Sequence, residues 1–230
     1  MHLGRWWSVR CRFDHRHVSG HPIVAALYDR ALGPVEHAGL GEIRTETLSF
    51  ARGRVLEIAA GNGHNLGHYP SGLASVTLAE PDPHMYSRLL ERLQHEPAIP
   101  GSPETGCSTL QISAEALPFD DASFDSVVCT LGLCTIPDPA SALAEVHRVL
   151  VPGGIYCFVE HVRALESGPA RVQDLITPIW RRVAGGCHPN RDSAAAIEAA
   201  GFRILSCTRT SMPKAPRPLR PTIHGHAERG

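Results

Sequence analysis

Arg54-Val55-Leu56-Glu57-Ile58-Ala59-Ala60-Gly61-Asn62-Gly63 is the stretch from which the fold of this chain can be read. A short apolar run carrying one carboxylate passes directly into a Gly-x-Gly loop. This is the pattern of a buried parallel strand followed by a tight turn and a short helical segment. Such a turn brings backbone N–H groups and a helix N-terminus up against a ligand. The next apolar run, Ser75-Val76-Thr77-Leu78-Ala79, closes on a second acid, Glu80. In nucleotide-binding units an acid about 20 residues beyond the glycines accepts hydrogen bonds from ribose hydroxyls. Glu57 narrows the choice of nucleoside, because a carboxylate beside the loop repels a pyrophosphate and attracts an ammonium group. The ligand implied is a nucleoside joined to an amino acid, which points to S-adenosylmethionine.

Strands and helices alternate on both sides of this unit. Helical signals cover residues 22–32, break at Gly33-Pro34 and resume over 40–50. Strands follow at 54–59 and 75–79. Asp82 is placed to cap a helix that has Pro83 at its first position and Met85, Leu89, Leu90 and Leu93 on one face. Further strands are expected near 109–112, 126–131 and 155–159. Between the last two lies a helix started by Asp138-Pro139 and stopped by Pro152-Gly153-Gly154. Residues 164–184 read as helix interrupted by Pro178, and Gly185-Gly186-Cys187-His188-Pro189-Asn190 reads as a loop. A helix over 193–200, capped by Asp192 and ended by Gly201, precedes a strand at 202–208; a proline-rich link leads to a last strand around 222–227. Alternation with nearly continuous apolar strands predicts an α/β protein whose parallel sheet is covered on both faces. Residues 1–21 form an N-terminal arm with Arg5, Arg10, Arg12 and Arg16 around Trp6 and Trp7, readable as a frayed terminus or as a lip over the site or a membrane surface. Residues 22–230 are expected to form a single domain, with helical cap elements from 22–50 and 161–192.

The bulk composition excludes several classes. A formal net charge of −1 gives no global reason to expect nucleic acid. No apolar run approaches the length of a membrane span, and the N-terminus lacks the apolar core of a secretory signal. Seven cysteines without CxxC spacing fit a reduced cytoplasmic chain. Fourteen histidines include no HExxH pair, so no metal is expected.

The ordered set of EIAAGNG, an acid ending the second strand, AEALPFDDASFD, a strand and HRVLVPGG resembles the class I S-adenosylmethionine-dependent methyltransferases, within them the ubiquinone/menaquinone-biosynthesis type. A narrower similarity lies in Cys129-Thr130-Leu131-Gly132-Leu133-Cys134, Glu160-His161-Val162, Trp180 with Gly186-Cys187 and Arg191, and the tail from Arg220 to Ala227. These segments resemble the branch whose animal members are alkyl thiol methyltransferases. That branch often carries an N-terminal membrane anchor with no equivalent in this sequence, so membrane association is not carried over. The resemblance implies a Rossmann-like, doubly wound, seven-stranded sheet of order 3-2-1-4-5-7-6 with strand 7 antiparallel. Two departures stand out: Ala59 occupies a position where relatives usually have Gly, and Ser113 one where they often have Asp.

The resemblance also implies residue roles. Glu57, Ala59, Gly61, Gly63 and Asn65 surround the amino-acid end of the cofactor, Glu80 takes the ribose hydroxyls, and Pro81, Ser113, Ala114 and Glu115 border the adenine. Thr130 and Leu131 sit near the sulfonium, and Tyr28 resembles a tyrosine that closes over the cofactor. His161 is the candidate general base, with His188 second, and Cys134, Trp180, Cys187, His188 and Arg191 are candidates for the acceptor pocket. The expected function is methyl transfer to a small, apolar acceptor, with a thiol favoured and a phenol or hydroxyl next. Two alternatives stand beside it: a cofactor-binding fold acting as a non-methylating cyclase or binding module, and an NAD(P)-dependent oxidoreductase. Glu57 and the missing third glycine, where Leu66 stands before Gly67, weigh against the oxidoreductase. The sequence leaves oligomeric state open.

Overall fold

In the computed structural model, which describes residues 20–96 and 106–230, seven strands follow in chain order. They are β1 (Arg54–Ile58), β2 (Ser75–Ala79), β3 (Gly106–Leu110), β4 (Phe124–Thr130), β5 (Leu150–His161), β6 (Phe202–Ser211) and β7 (Pro221–Arg229). All seven join one sheet of order β3-β2-β1-β4-β5-β7-β6. The first five pair in parallel, and β7 runs antiparallel to both β5 and β6. The helices are α1 (Pro22–Val35), α2 (Gly41–Leu48), α3 (Pro83–Leu93), α4 (Pro139–Val149), α5 (Ser167–Val183) and α6 (Ser193–Ala199). The arm expected over residues 1–21 lies outside the described residues except for Gly20 and His21.

The continuous apolar strands are explained by cover on both sheet faces. Leu56, Ile58, Val127, Cys129, Tyr156 and Phe158 fill one core with α4 and α6. Val55, Val76, Leu78, Val128, Ile155 and Cys157 alternate with them and fill the other. Asp82 caps α3 by accepting from the N–H of His84 at 2.8 Å and of Met85 at 3.2 Å, and Asp138 caps α4 in the same way. Each cap stabilises its helix by about 1 kcal/mol.

Several local expectations are corrected. No helix follows the Gly-x-Gly loop: residues 61–72 form successive turns, with Gly61, Gly63, Gly67 and Gly72 all at positive φ. Helical hydrogen bonding cannot propagate through such a backbone. The early helical stretch breaks at Gly39, where φ is 132°, and not at Gly33-Pro34, which remain inside α1. Pro178 is likewise contained within α5. Pro152-Gly153-Gly154 lies inside the long β5. Leu90 is exposed, because it sits about 100° around α3 from Leu89.

Candidate active site

The carboxyl ends of β1, β2 and β4 open into a cavity of about 450 Å³, roofed by α1 and closed on one side by the segment that follows α5. This is the crevice expected where the strand order reverses direction from β1. Glu57, Ala59, Gly61 and Asn65 line it from the first strand and its loop, and Glu80 and Pro81 from the second. Ser113, Ala114 and Glu115 line it after β3, and Thr130 and Leu131 from the end of β4. Tyr28 completes this set from α1.

Glu57 is almost completely buried, on the sheet face that carries Val55. The turns beyond the glycines fold back over it, so that Asn65 Nδ2 donates to its carboxylate at 2.9 Å and the Tyr69 hydroxyl donates to the other oxygen. Burial raises its pKa to about 7, against the pull of these two hydrogen bonds and of Arg44. Glu80 is also buried and is raised to about 7 by burial. It accepts from the N–H of Gly61 at 2.7 Å and of Asp82 at 2.8 Å, tying the glycine loop to the end of β2. Each carboxylate oxygen retains a lone pair for a ligand hydroxyl or ammonium. Ser113 donates to Glu115, which leaves its own hydroxyl oxygen free to accept.

Backbone shape supports occupation by a ligand. A Cβ placed on Gly61 would meet nothing within 4 Å, so this loop faces open cavity. Gly63 does not line the cavity, contrary to expectation. A Cβ there would stand 2.9 Å from Leu89 Cδ1 and 3.0 Å from Leu66 Cδ1, so this glycine packs the loop against α3. Ala59 sits at φ 51°, the left-handed conformation that explains why glycine is usual here. Its methyl closes against Gly132, where a Cβ would lie 2.9 Å from it.

Arg44, on α2, is the residue that sequence reasoning missed. It is 2% exposed and donates from Nη1 to Asn65 Oδ1 and Thr130 Oγ1, both at 2.7 Å. Its Nε and Nη2 fork onto Glu36. One guanidinium thus fixes the residue that holds Glu57 and the residue that ends β4. In the sequence, an arginine on a short polar helix gives no sign of such burial. Asn62, His64 and Asp29 were missed as well. Asp29 of α1 accepts from Asn62 at 2.6 Å and from Arg92 at 3.0 Å, while the N–H of His21 donates to Asp82 at 2.7 Å. These bonds pin the roof helix at two points across the cavity. Burial and the nearby Arg44 lower the pKa of His64 to about 4, and burial pushes the Tyr28 phenol up.

The expected acceptor-side residues are corrected. His161 does not line the cavity. Its position on β5 pairs with Thr222 of β7, and the ring lies against the backbone of Leu219, where burial lowers its pKa to about 4. Arg191 donates to the carbonyls of Leu133 and Ile136, which commits its guanidinium to holding the β4–α4 loop. Cys134 and Cys187 are buried outside the cavity lining with their sulfurs 3.8 Å apart, and the N–H of His188 donates to the Cys134 carbonyl at 2.7 Å. Trp180 packs beside Val35, Leu40 and Val159. The cavity's apolar wall consists instead of Val24, Leu131, Ile136, Pro137 and Ala184-Gly185-Gly186. Glu160, fully buried, accepts from the N–H groups of Gly132, Leu133 and Cys134 and shapes the loop that carries this wall. Among the described residues no cluster of three or more His, Cys, Asp or Glu is arranged to hold a metal ion.

Comparison with known proteins agrees with this geometry. Residues 56–158 match the family described as Methyltransferase domain. The chain is 34% identical over 180 residues to thiol S-methyltransferase TMT1B of Rattus norvegicus, covering 75% of this chain and 69% of the relative. It is 33% identical over 180 residues to thiol S-methyltransferase TMT1A of Homo sapiens, with the same coverage. Among solved structures, the Haloferax volcanii methyltransferase in complex with its Trm112 activator superposes with a TM-score of 0.67 at 15% identity, covering 92% of this chain and 99% of that one, a likeness of fold. A seven-stranded sheet with an antiparallel β7, two buried acids at adjacent strand ends and these relatives have one reading: the chain belongs to the class I S-adenosylmethionine-dependent methyltransferases, with S-adenosylmethionine as methyl donor.

Proposed function

We propose that this methyltransferase transfers its methyl group to the sulfur of a small, apolar thiol. The observation that carries the reading is the division of the cavity into a polar part around Glu57 and Glu80 and an apolar wall formed by Val24, Leu131, Ile136 and Ala184-Gly185-Gly186. The thiol S-methyltransferases, at 33–34% identity, favour sulfur over other acceptors.

Bound S-adenosylmethionine supplies a methyl group already activated on a sulfonium. What remains for the chain is alignment and exclusion of water, and orientation alone is worth roughly 7–11 kcal/mol. In this reading Glu57 holds the ammonium end, Glu80 the ribose hydroxyls, and Pro81 with Ser113, Ala114 and Glu115 the adenine. Tyr28, Thr130 and Leu131 frame the reacting end, with α1 as the roof that keeps water out. A thiol, with a reference pKa near 8.5, ionises enough at neutral pH to attack without a dedicated base, whereas a phenol near 10 gains more from one. The polar groups beside Thr130 are already spent: Arg44 and Asn65 both donate to its hydroxyl oxygen. This favours an acceptor that brings its own anion. The family assignment also removes the nicotinamide-dependent alternative.

A panel of alkyl thiols, phenols and amines, assayed with labelled methyl donor, tests the proposal. Thiols are expected to be methylated fastest, with rates that rise with pH toward the acceptor's own pKa. Turnover of phenols or amines with none of thiols would refute it.

A further inference from the structure

Ten large hydrophobic side chains are exposed among the described residues, and seven of them gather on α1, on α5 and at Leu165 just before it. On α5, Val172, Leu175, Ile179 and Val183 recur at intervals of three, four and four residues, with exposures of 47%, 78%, 68% and 63%. This spacing places them on one stripe of the helix, distinct from the stripe of Ala170, Gln173 and Thr177 that packs inward. A helix of 17 residues extends the stripe over about 25 Å. Arg171 and Arg182 border it within about 40° of Leu175 around the helix. Exposed apolar side chains also stand on α1, where Ile23 and Leu27 are 74% and 53% exposed. The segment just after α5 reaches α1 at the cavity: a Cβ on Gly185 would lie 3.6 Å from Val24 Cγ1, and both residues line the cavity.

We propose that this α1–α5 face docks on an anionic lipid bilayer, with the stripe entering the boundary between headgroups and acyl chains. A helix that joins a continuous apolar face to flanking arginines has the chemistry of a membrane-surface element. Charge selects the bilayer over a second copy of the chain. Two-fold pairing of α5 about its midpoint would set Arg171 of one copy against Arg182 of the other, and the nearby acid Asp174 is already held by Arg163 and Asn190. Headgroups carrying negative charge satisfy both arginines while the apolar stripe leaves water. The docked orientation sets the roof of the cavity and its apolar wall against the hydrocarbon, where apolar acceptors concentrate. That last consequence rests on the acceptor class proposed above, whereas docking itself does not.

Co-sedimentation of the full chain with phosphatidylcholine vesicles, with and without about 30% phosphatidylglycerol, tests the idea independently of any activity. The parent is expected to bind the anionic vesicles and to be released by salt. Leu175→Ser with Ile179→Ser should weaken binding at least tenfold while S-adenosylhomocysteine affinity, read by calorimetry, stays unchanged. Arg171→Ala with Arg182→Ala should weaken binding to anionic vesicles roughly 25-fold, at about fivefold for each basic residue near the surface. The proposal is overturned if the parent stays in the supernatant at every lipid concentration. It is equally overturned if both variant pairs bind like the parent, which would place binding elsewhere on the chain. Light scattering that shows a dimer lost in the Ser variants would assign the face to a second copy instead.

Discussion

Replacing Glu57 by Gln removes one negative charge from the polar end of the cavity and little else. The amide oxygen of Gln can still accept from Asn65, and its NH2 can donate to the Tyr69 hydroxyl, so both local hydrogen bonds have successors. What is lost is the charge-assisted contact to a ligand ammonium, worth about 1.5–3 kcal/mol. At about 1.4 kcal/mol per factor of ten, S-adenosylhomocysteine should bind roughly 10–150-fold more weakly at pH 8. The pH dependence gives a second, sharper test. Burial places the ligand-free carboxyl at about 7, so at pH 6 it is mostly protonated and must ionise to receive the ammonium. Affinity of the parent through this group should therefore fall about tenfold between pH 8 and pH 6, a fall that the Gln variant lacks. Glu80 is also raised to about 7 and titrates in both proteins, so the difference between the two profiles isolates Glu57. Isothermal calorimetry from pH 6 to 8 measures both effects. Variant affinity within about twofold of the parent at pH 8, or identical pH profiles, would refute the role given to Glu57.

The same substitution bears on ligand-free stability. A carboxyl raised to about 7 in the folded state holds more protons than the unfolded chain between pH 4.5 and 7, so its contribution is complete below 4.5 and is lost as pH rises through 7. Thermal melts should show Glu57→Gln gaining on the parent by about 2 kcal/mol between pH 5 and pH 7; a constant gap would contradict the burial argument. Arg44→Met strands Glu36 and leaves Asn65 and Thr130 without their donor, and should cost about 3 kcal/mol, read as a melting point lowered by roughly 6–12 °C. An unshifted melting point would show that the guanidinium is not the pin it appears in the geometry. His161→Gln should leave kcat on thiols within about threefold, because the ring lies against the Leu219 segment and away from the cavity; a loss of 100-fold or more would restore it as a general base. Gly132→Ala drives a methyl to 2.5 Å from Cys129 Sγ and should destabilise by about 1–3 kcal/mol in chemical denaturation, whereas an unchanged midpoint would mean that the loop yields freely.

The strand pattern, the two acids and the Gly-x-Gly turn were legible because each is a local rule. A strand covered on both faces must be apolar at every position, and a loop that bends through left-handed φ selects glycine where it can. The cavity-lining residues Glu57, Glu80 and Thr130 lie close to strand ends, within a few positions of features that sequence periodicity reveals. Residues brought in from elsewhere carry no such signal. Arg44 looks like any polar helical residue until α2 docks on Asn65 and Thr130, and Ala184-Gly185-Gly186 becomes a cavity wall only when α5 meets α1. His161 shows the converse case. Its place at the end of a parallel strand suggested the ligand edge, but the segment around Leu219 that leads into β7 lies against the ring and buries it. Sequence by itself determined the run of strands and the two acids at the ends of adjacent strands, since backbone sterics and burial act within a few neighbouring residues, while the order of the strands followed from the family resemblance. Tertiary structure alone decided the acceptor wall, the arginine pin and the exposed stripe of α5, because packing between elements tens of residues apart depends on where whole helices come to rest.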